Sequence, residues 1–305
     1  MKVFSRGRDL AVTALAVSLV GVLLGHRLIP DVGGFGTALD SVLPWLVVPV
    51  ALLLVCAVGL RSRAGLVAAL VPAVVCAAMF GPEFRRTASA VDGGGSLRVL
   101  SVNIGAGNQE VDRAAHQLAR SEADIVVVQE VTQRTRSVLR RALGQDHPYS
   151  RSVGTVAVWS RYPMTDCQPL DLAQGWPRAL RARVSTPRGE IALYAVHLAS
   201  IRLGRTAGRD GALRALAQHI DGDRSGRVLV LGDLNTASTD RRFSLLTRSL
   251  HEARDGFGFT WPAGFPLTRP DHILSRGLTP VGVDVVEIAG SDHRAPTTTF
   301  QIPRR

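Results

Sequence analysis

Three apolar runs crowd into the first 80 residues, at positions 10–28, 42–60 and 64–80, with few charged side chains between them. A run of about 20 apolar residues is what a helix needs to cross the hydrocarbon core of a bilayer. The first run alone also fits a cleaved leader. No small-residue cleavage site follows it at His26-Arg27-Leu28-Ile29-Pro30, however, and two further runs come next, so three spans are expected. Lys2, Arg6 and Arg8 precede the first span, and Arg61 and Arg63 sit between the second and third. The loop at 29–41 carries Asp31 and Asp40 and no base. The positive-inside rule then puts residues 1–9 in the cytoplasm and everything beyond Phe80 outside. Arg85 and Arg86 count against that orientation, and Pro49 and Pro72 favour short or kinked spans. Residues 81–96, with Gly93-Gly94-Gly95, read as a flexible linker reaching ~55 Å at full extension. The catalytic domain is expected at 97–305.

Charge narrows the partners without choosing among them. The formal net charge is +11, and Lys2 is the only lysine, an arginine bias that a GC-rich genome produces by itself. From Thr87 onward 28 arginines face 21 acidic residues, leaving +7. That surface suits phosphorylated substrates, anionic lipid or nucleic acid, and equally a plain solvated face. Cys56, Cys76 and Cys167 are too scattered for a disulfide framework or a metal-binding pattern.

Beyond the linker, short runs rich in Val, Ile and Leu predict strands at 97–104, 124–129, 155–160, 179–185, 191–198, 227–231, 272–274, 281–286 and 296–302. Amphipathic stretches at 111–120, 133–143, 209–220 and 241–250 predict helices. Nine strands with about four helices make an α/β domain with helices outside a mixed sheet. Polar residues punctuate the strand ends: Asn103, Glu130, His197, Asp233 with Asn235, Asp271, and Asp292 with His293. Strand ends of this kind converge on one rim, where loops carry side chains into a shared cleft.

The ordered strings LSVNIG, DIVVVQEV, YAVHLAS, VLVLGDLN, RPDHIL and GSDHRAP together resemble the endonuclease/exonuclease/phosphatase superfamily, whose branches include DNase I-like nucleases, abasic-site endonucleases, neutral sphingomyelinases and inositol polyphosphate 5-phosphatases. The resemblance spans residues 97–305. It implies a four-layer α/β sandwich, DNase I-like, preceded here by three transmembrane helices. It also implies Mg²⁺ as cofactor, with Mn²⁺ as the alternative, held by Glu130 with Asn103 and Asp292. An all-oxygen set of that kind suits a hard cation that keeps several waters. Taken alone, Glu130 is as readily a cap for the helix after it.

By the same resemblance His293 matches the catalytic histidine and Asp271 the carboxylate that orients it; alone, the two read equally as an ion pair at a sheet end. Asp233 and Asn235 match a GDxN motif whose alternation puts both side chains on one side of an extended segment, the first able to take a proton from water and the second to donate to a phosphoryl oxygen. An Asx turn after a strand gives the same pattern. His197 is expected to supply a further donor or the leaving-group proton, or else to be a partly buried strand histidine. This chemistry is in-line attack of water on a phosphate ester. Whether Asp233 or His293 is the base stays open.

The nuclease branches fit less well. The segment at 199–208 is short, is basic through Arg202 and Arg205, and has no aromatic residue to stack on a base. Nucleic acid is therefore the less favoured partner. Three spans feeding an external domain resemble the membrane-anchored VanJ-type proteins of glycopeptide (teicoplanin) resistance in actinobacteria, which implies membrane lipid as a partner and a lipid-linked cell-wall phosphate or pyrophosphate as substrate. Arg178, Arg181 and Arg183 are candidate phosphate-binding charges or a solvated strand face. The alternatives are an external nuclease or phospholipid phosphodiesterase and, in another class, a catalytically silent scaffold.

Overall fold

The computed structural model describes residues 2–85, 95–201 and 206–303. The chain divides into two compact units, one built on the N-terminal helices with Thr239–Arg241, the other on the remaining residues.

The N-terminal unit contains α1 (Lys2–Gly25), α2 (Phe35–Val42), α3 (Val47–Gly59) and α4 (Arg63–Phe80). Three helical segments, Arg6–Leu28, Val32–Gly59 and Arg63–Phe84, are long and apolar enough to cross a membrane. They pack through Val12, Ala16, Leu53, Ala57 and Ala69, and the alanines among these let the backbones approach closely. The second segment begins at Val32, ten residues before the apolar run does. Asp40, which interrupts the hydropathy there, is fully buried and lies 2.7 Å from buried His26, and the helical segment runs through it. Pro49 falls in the first turn of α3, where a missing N–H costs nothing, and α4 runs through Pro72 without a break. Ser62 caps α4 by accepting the Gly65 N–H at 2.8 Å. Gly81–Arg85 form a 3-10 turn and Gly95 already opens a strand; the rest of the expected linker, residues 86–94, lies outside the described residues, as do Arg202 and Arg205.

The second unit runs β1 (Gly95–Asn103), α5 (Val111–Ala119), β2 (Ile125–Gln129), α6 (Gln133–Leu143), β3 (Tyr149–Val153), β4 (Val156–Ser160), β5 (Met164–Pro169), β6 (Ala179–Thr186), β7 (Gly189–His197), α7 (Ala207–Gly222), β8 (Val228–Asp233), α8 (Ser244–Thr247), β9 (His251–Glu252), β10 (Asp271–Arg276), β11 (Thr279–Glu287) and β12 (Arg294–Ile302). The strands form two six-stranded mixed sheets, ordered β11-β12-β1-β2-β4-β3 and β5-β6-β7-β8-β10-β9. Their inner faces meet in one apolar layer that includes Leu97, Val99, Ile125, Val127, Leu193, Leu229, Leu231 and Ile273. Helices α5 and α6 cover the outer face of the first sheet through Val111, Leu118, Val138 and Leu139. Helices α7 and α8 cover the second through Leu213, Leu216, Ile220 and Leu246. The result is the expected four-layer sandwich, and each fully buried Leu or Ile in it contributes about 1.5–3 kcal/mol relative to exposure.

All nine expected strands form, and three more join them: β3, β5 and β9, each at the edge of its sheet. The helix expected at 241–250 contracts to the single turn α8.

Candidate active site

Six strand ends meet at one end of the sandwich. Strands β1 and β2 are parallel, with Asn103 beside Gln129, and β7 and β8 are parallel, with His197 beside Asp233. Strand β10 is antiparallel to β8 and sets Asp271 opposite Asp233; β12, antiparallel to β1, starts just after His293. The period of two along each strand explains the composition of this end. Leu97, Val99, Ser101 and Asn103 share the inner face, as do Leu229, Leu231 and Asp233, or Leu193, Ala195 and His197. The inter-sheet layer thus changes from apolar to polar along its length, with the buried pair Gln129 Nε2 to Ser101 Oγ at 3.2 Å as the transition.

Two positions leave the regular register. Glu130 has φ of 57° and Asn235 has φ of 45°; non-glycine residues held in this left-handed region are strained, and such strain concentrates at functional sites. Gly232, one residue before Asp233, has φ of 152°, and a Cβ there would lie 1.8 Å from the Val196 carbonyl oxygen. Only glycine lets β8 approach β7 at the level of the site.

Asn103 links the carboxylates: its Nδ2 donates to Glu130 Oε1 at 3.2 Å and to Asp233 Oδ2 at 3.0 Å, while its Oδ1 accepts the Gly105 N–H at 3.1 Å. Glu130 Oε2 accepts the Ala106 N–H at 2.9 Å, and about a third of the Glu130 side chain stays open to solvent. Asp233 is 1% exposed. Burial and the negative charge of Asp271 push its carboxyl well above the usual carboxylate range, against the opposing pull of His293, Asn103 and the Asn235 N–H.

His293 Nδ1 lies 2.8 Å from Asp271 Oδ2, which also accepts from Thr260 Oγ1 at 2.6 Å. Burial works against charge on this imidazole, but the charge and hydrogen bond of Asp271, with Asp233 and Asp292 behind it, outweigh burial and push it up to about 9. At neutral pH His293 is an imidazolium. His197 goes the other way. Burial and the Arg178 guanidinium push it down to about 3, leaving it neutral 3.7 Å from Asp233 Oδ2 and 3.9 Å from Glu130 Oε1. Arg178 Nη2 lies 2.9 Å from Nδ1 and 3.0 Å from Nε2 of His197, nearly equidistant from two nitrogens that flank one carbon. Only the face of the ring offers that position, so the contact is chiefly cation over ring.

The other sequence-expected residues are placed less directly. Asn235 donates its N–H to Asp233 Oδ1 at 2.9 Å but turns its amide to the Leu198 carbonyl at 3.0 Å. Asp292 is exposed on the rim beside Gly105, its Oδ2 3.4 Å from Trp261 Nε1. Arg181 is taken up by Asp223 at 2.8 Å, and Arg183 by Asp166 and Glu190; Arg178 alone of the three arginines reaches the cleft. Thr260, Trp261 and Ser291 were not singled out by sequence. Ser291 donates to the Asn103 carbonyl at 2.6 Å and accepts the His293 N–H at 2.9 Å, tying the two ends of the cleft together. Its signal lay within GSDH, whereas nothing in the sequence around Thr260 and Trp261 pointed to the site.

Glu130, Asn103 and Asp292 offer only oxygens as ligand atoms, which fits a Mg²⁺-like cation once the Asn103 amide turns its oxygen inward. The tightest convergence of ligand atoms is instead Asp233, Asp271 and His293, within 4.8 Å of one another. There the imidazole is already engaged by Asp271, and nitrogen suits a hard cation poorly. That group is better suited to handling protons, and the half-open Glu130 to holding metal.

A two-sheet α/β sandwich with an acid-histidine cleft at one end defines a class of hydrolytic fold, and comparison with known proteins agrees. The family model described as Endonuclease/Exonuclease/phosphatase family matches residues 100–293, more than half of the chain, and the chain belongs to that family. Among solved structures it resembles D. rerio TDP2 complexed with single strand DNA product, at 18% identity and TM-score 0.59, covering 68% of this chain and 99% of that one. A beta toxin from Staphylococcus aureus matches at 14% identity and TM-score 0.53, covering 66% and 99%. An endonuclease/exonuclease/phosphatase from Bacteroides vulgatus matches at 17% identity and TM-score 0.59, covering 68% and 100%. At these identities the likeness is one of fold. No curated protein sequence matches.

Proposed function

We propose that this chain is a membrane-anchored, metal-dependent phosphoesterase working on the outer side of the membrane, and that it hydrolyses a phosphate or pyrophosphate linkage in a lipid-carried cell-wall intermediate, with resistance to glycopeptide antibiotics of the teicoplanin kind as the physiological outcome. The observation that carries the phosphoester chemistry is the pairing, in one cleft, of a carboxyl with a raised pKa, Asp233, and an imidazolium, His293. Perturbed acid and base side by side are what hydrolysis at neutral pH requires. The lipid substrate rests on the three membrane-length helices, and the external placement on the charge asymmetry of the short loops.

In this reading Glu130, Asn103 and Asp292 hold the cation, which when bound neutralises charge on the phosphoryl oxygens. Asp233 takes the proton from the attacking water as its oxygen bonds to phosphorus. The opposite P–O bond breaks, and the departing oxygen leaves as a phosphate anion or takes its proton from solvent rather than from His197, which is neutral. His293, fixed through Nδ1 by Asp271, presents Nε2 as a charged donor to a phosphoryl oxygen as charge builds there. His197 stays neutral and serves as packing for Arg178, whose guanidinium supplies a fixed positive charge. Replacing Arg178 by Gln is expected to raise KM by about 10–100-fold, the equivalent of one charged hydrogen bond, with a smaller change in kcat. Steady-state kinetics on the same substrate measures both.

The deciding assay follows phosphate release by the full-length protein in detergent from polyprenyl pyrophosphate and, in parallel, cleavage of DNA. Release from the lipid with Mg²⁺, abolished by EDTA and restored by added Mg²⁺ or Mn²⁺, is the expected result, and Glu130→Gln is expected to require more metal for half-maximal rate. Cleavage of DNA alone would replace this reading with that of a tethered nuclease, an option supported by the resemblance to a protein whose structure holds a single strand DNA product.

A further inference from the structure

The outer face of the first sheet carries a polar recess that the proposed reaction does not use. Arg136 and Arg140 stand four residues apart on α6 and so share one helix face. The recess they line, of about 160 Å³, is completed by Ser150, Arg151 and Ser152 of β3 and by Ala157 and Trp159 of β4. No acidic side chain lines it. Arg140 and Arg151 have no carboxylate partner among the described residues, and the one bond of the Arg136 guanidinium goes to the Gly154 carbonyl at 3.1 Å. Like charges at this spacing repel, and a sequence selected only for helix stability would intersperse acids among Arg134, Arg136, Arg140 and Arg141.

A second observation points to a ligand. Trp159 is 2% exposed, yet its Nε1–H finds no acceptor among the protein atoms, and neither does the buried Nε–H of Arg136. Buried donors are almost always paired. Both donors belong to residues that line the recess and lie just beneath its surface, beside the guanidiniums of Arg136 and Arg140, while Arg151, paired with Val158, belongs to the opposite face of the sheet from Ser150 and Ser152. The volume of the recess is several times the roughly 30 Å³ that a water occupies in the liquid. Donors without acceptors around a phosphoryl-sized space are complementary to a tetrahedral oxyanion, with Arg supplying the forked geometry that phosphate prefers.

We propose that this recess is an anion site that binds a phosphate group, separate from the catalytic cleft. It is built on the β3–β4 hairpin, and Arg136 holds the hairpin turn at Gly154, where a Cβ would lie 2.1 Å from the Pro177 carbonyl oxygen. Pro177 immediately precedes Arg178, so the recess and the cleft border the same turn. The source of the phosphate group is a lipid headgroup or free phosphate.

The chain has four tryptophans, Trp45, Trp159, Trp176 and Trp261. Full-length protein labelled with 5-fluorotryptophan, in uncharged detergent, therefore reports the recess through Trp159 and the catalytic cleft through Trp176 and Trp261. Inorganic phosphate is expected to shift the Trp159 fluorine line where chloride at matched ionic strength does not, and Arg136→Gln/Arg140→Gln is expected to raise the half-saturating phosphate at least tenfold. Arg140→Gln alone, which leaves the Gly154 contact in place, is expected to do so in part. If the line instead moves only in nanodiscs containing anionic phospholipid, and not in zwitterionic ones, the occupant is a headgroup. A Trp159 line that is unmoved in every condition, that follows chloride equally, or that responds equally in the variants would overturn the proposal. Because the cleft has its own reporters and its own hydrolysis assay, that outcome would leave the proposed reaction untouched.

Discussion

Replacing His293 by Ala lowers kcat by about 10²–10⁴-fold, the range for removing a positioned charged donor from a phosphoryl-transfer site, and leaves KM for the substrate within a few-fold. The expectation follows from charge. His293 is held as an imidazolium because Asp271 and its neighbours outweigh burial, and the variant loses that positive charge at the point where negative charge develops. The same balance sets the pH dependence. The folded-state pKa of about 9 lies above the ordinary histidine value of about 6.5, so the active charged form persists through neutral pH and is lost as pH rises through 9. The rate should decline on that alkaline side, and on the acid side as Asp233, whose carboxyl is raised by burial and Asp271, takes up a proton. Asp271→Asn removes the charge that holds His293 up while burial remains, so the alkaline limb should move to lower pH. Rate profiles of the parent, Asp271→Asn and His293→Ala test this together. An alkaline limb that stays put in Asp271→Asn would show that the Asp271–His293 pair does not govern it.

The stability side of the same residues is separable by its sign. A raised histidine pKa adds stability that is complete below about 6.5 and disappears as pH passes 9, so the Asp271–His293 pair stabilises the fold at neutral and mildly acid pH. The parent's loss of rate above pH 9 is then expected to come with some loss of stability.

How much of this was legible depended on apolar runs, most but not all of them buried: β11 was read although it is an edge strand with no fully buried residue. The nine strands read from sequence are those with apolar runs, such as IVVVQ in β2 and VLVLGD in β8, whose residues are all buried. The unread β3, with YSRSV, and β5, with MTDCQP, are edge strands facing solvent. Nothing in their composition separates them from loops, because edges are kept polar and irregular to avoid pairing with other chains. Within the site, residues that end a buried strand on its inner face were readable, since the alternation points them into the inter-sheet layer. Arg178 was not. It resembled Arg181 and Arg183 in sequence, and only its place just ahead of β6, beside His197, separates it from two arginines spent on ion pairs. Thr260 and Trp261 come from an irregular segment whose path is set by tertiary contacts, chiefly the bridge between Trp261 and Thr268.

Glu252→Gln should destabilise the catalytic unit strongly, by about 3–5 kcal/mol, the usual cost of stripping the partner from a buried charge. Glu252 sits on the short β9 with a side chain only 6% exposed. It accepts from Arg269 Nε at 3.1 Å, from His272 Nδ1 at 2.8 Å and from Ser238 Oγ at 2.8 Å, and Arg254 Nε forms an ion pair with its Oε2 at 3.1 Å. Burial alone would raise its pKa, but the hydrogen bond and charge of His272, with Arg254 and Arg269, overcome it and hold the carboxyl well below the usual range. A depressed carboxylate contributes stability that is present above its unfolded value of about 4.3 and is lost as pH falls through the folded value. The parent should therefore weaken on the acid side, and the variant should be less acid-sensitive because it has already lost the term. Arg269, 1% exposed and otherwise bonded to the Gly258 and Ala253 carbonyls, would keep its charge with only that of Asp271 left to offset it. At roughly 2–4 °C per kcal/mol for a domain of this size, thermal unfolding should drop by about 6–20 °C, and removing Arg269 as well should recover part of the loss. The effect should also reach the chemistry: His272 follows Asp271 in β10 and its Nε2 lies 2.7 Å from the Thr236 carbonyl, next to Asn235, so the Glu252 cluster braces both carboxyl-bearing strand ends from behind. A Glu252→Gln protein with an unchanged melting temperature would mean that the cluster is solvated in the working molecule and that Asp233 and Asp271 are held by the sheet alone.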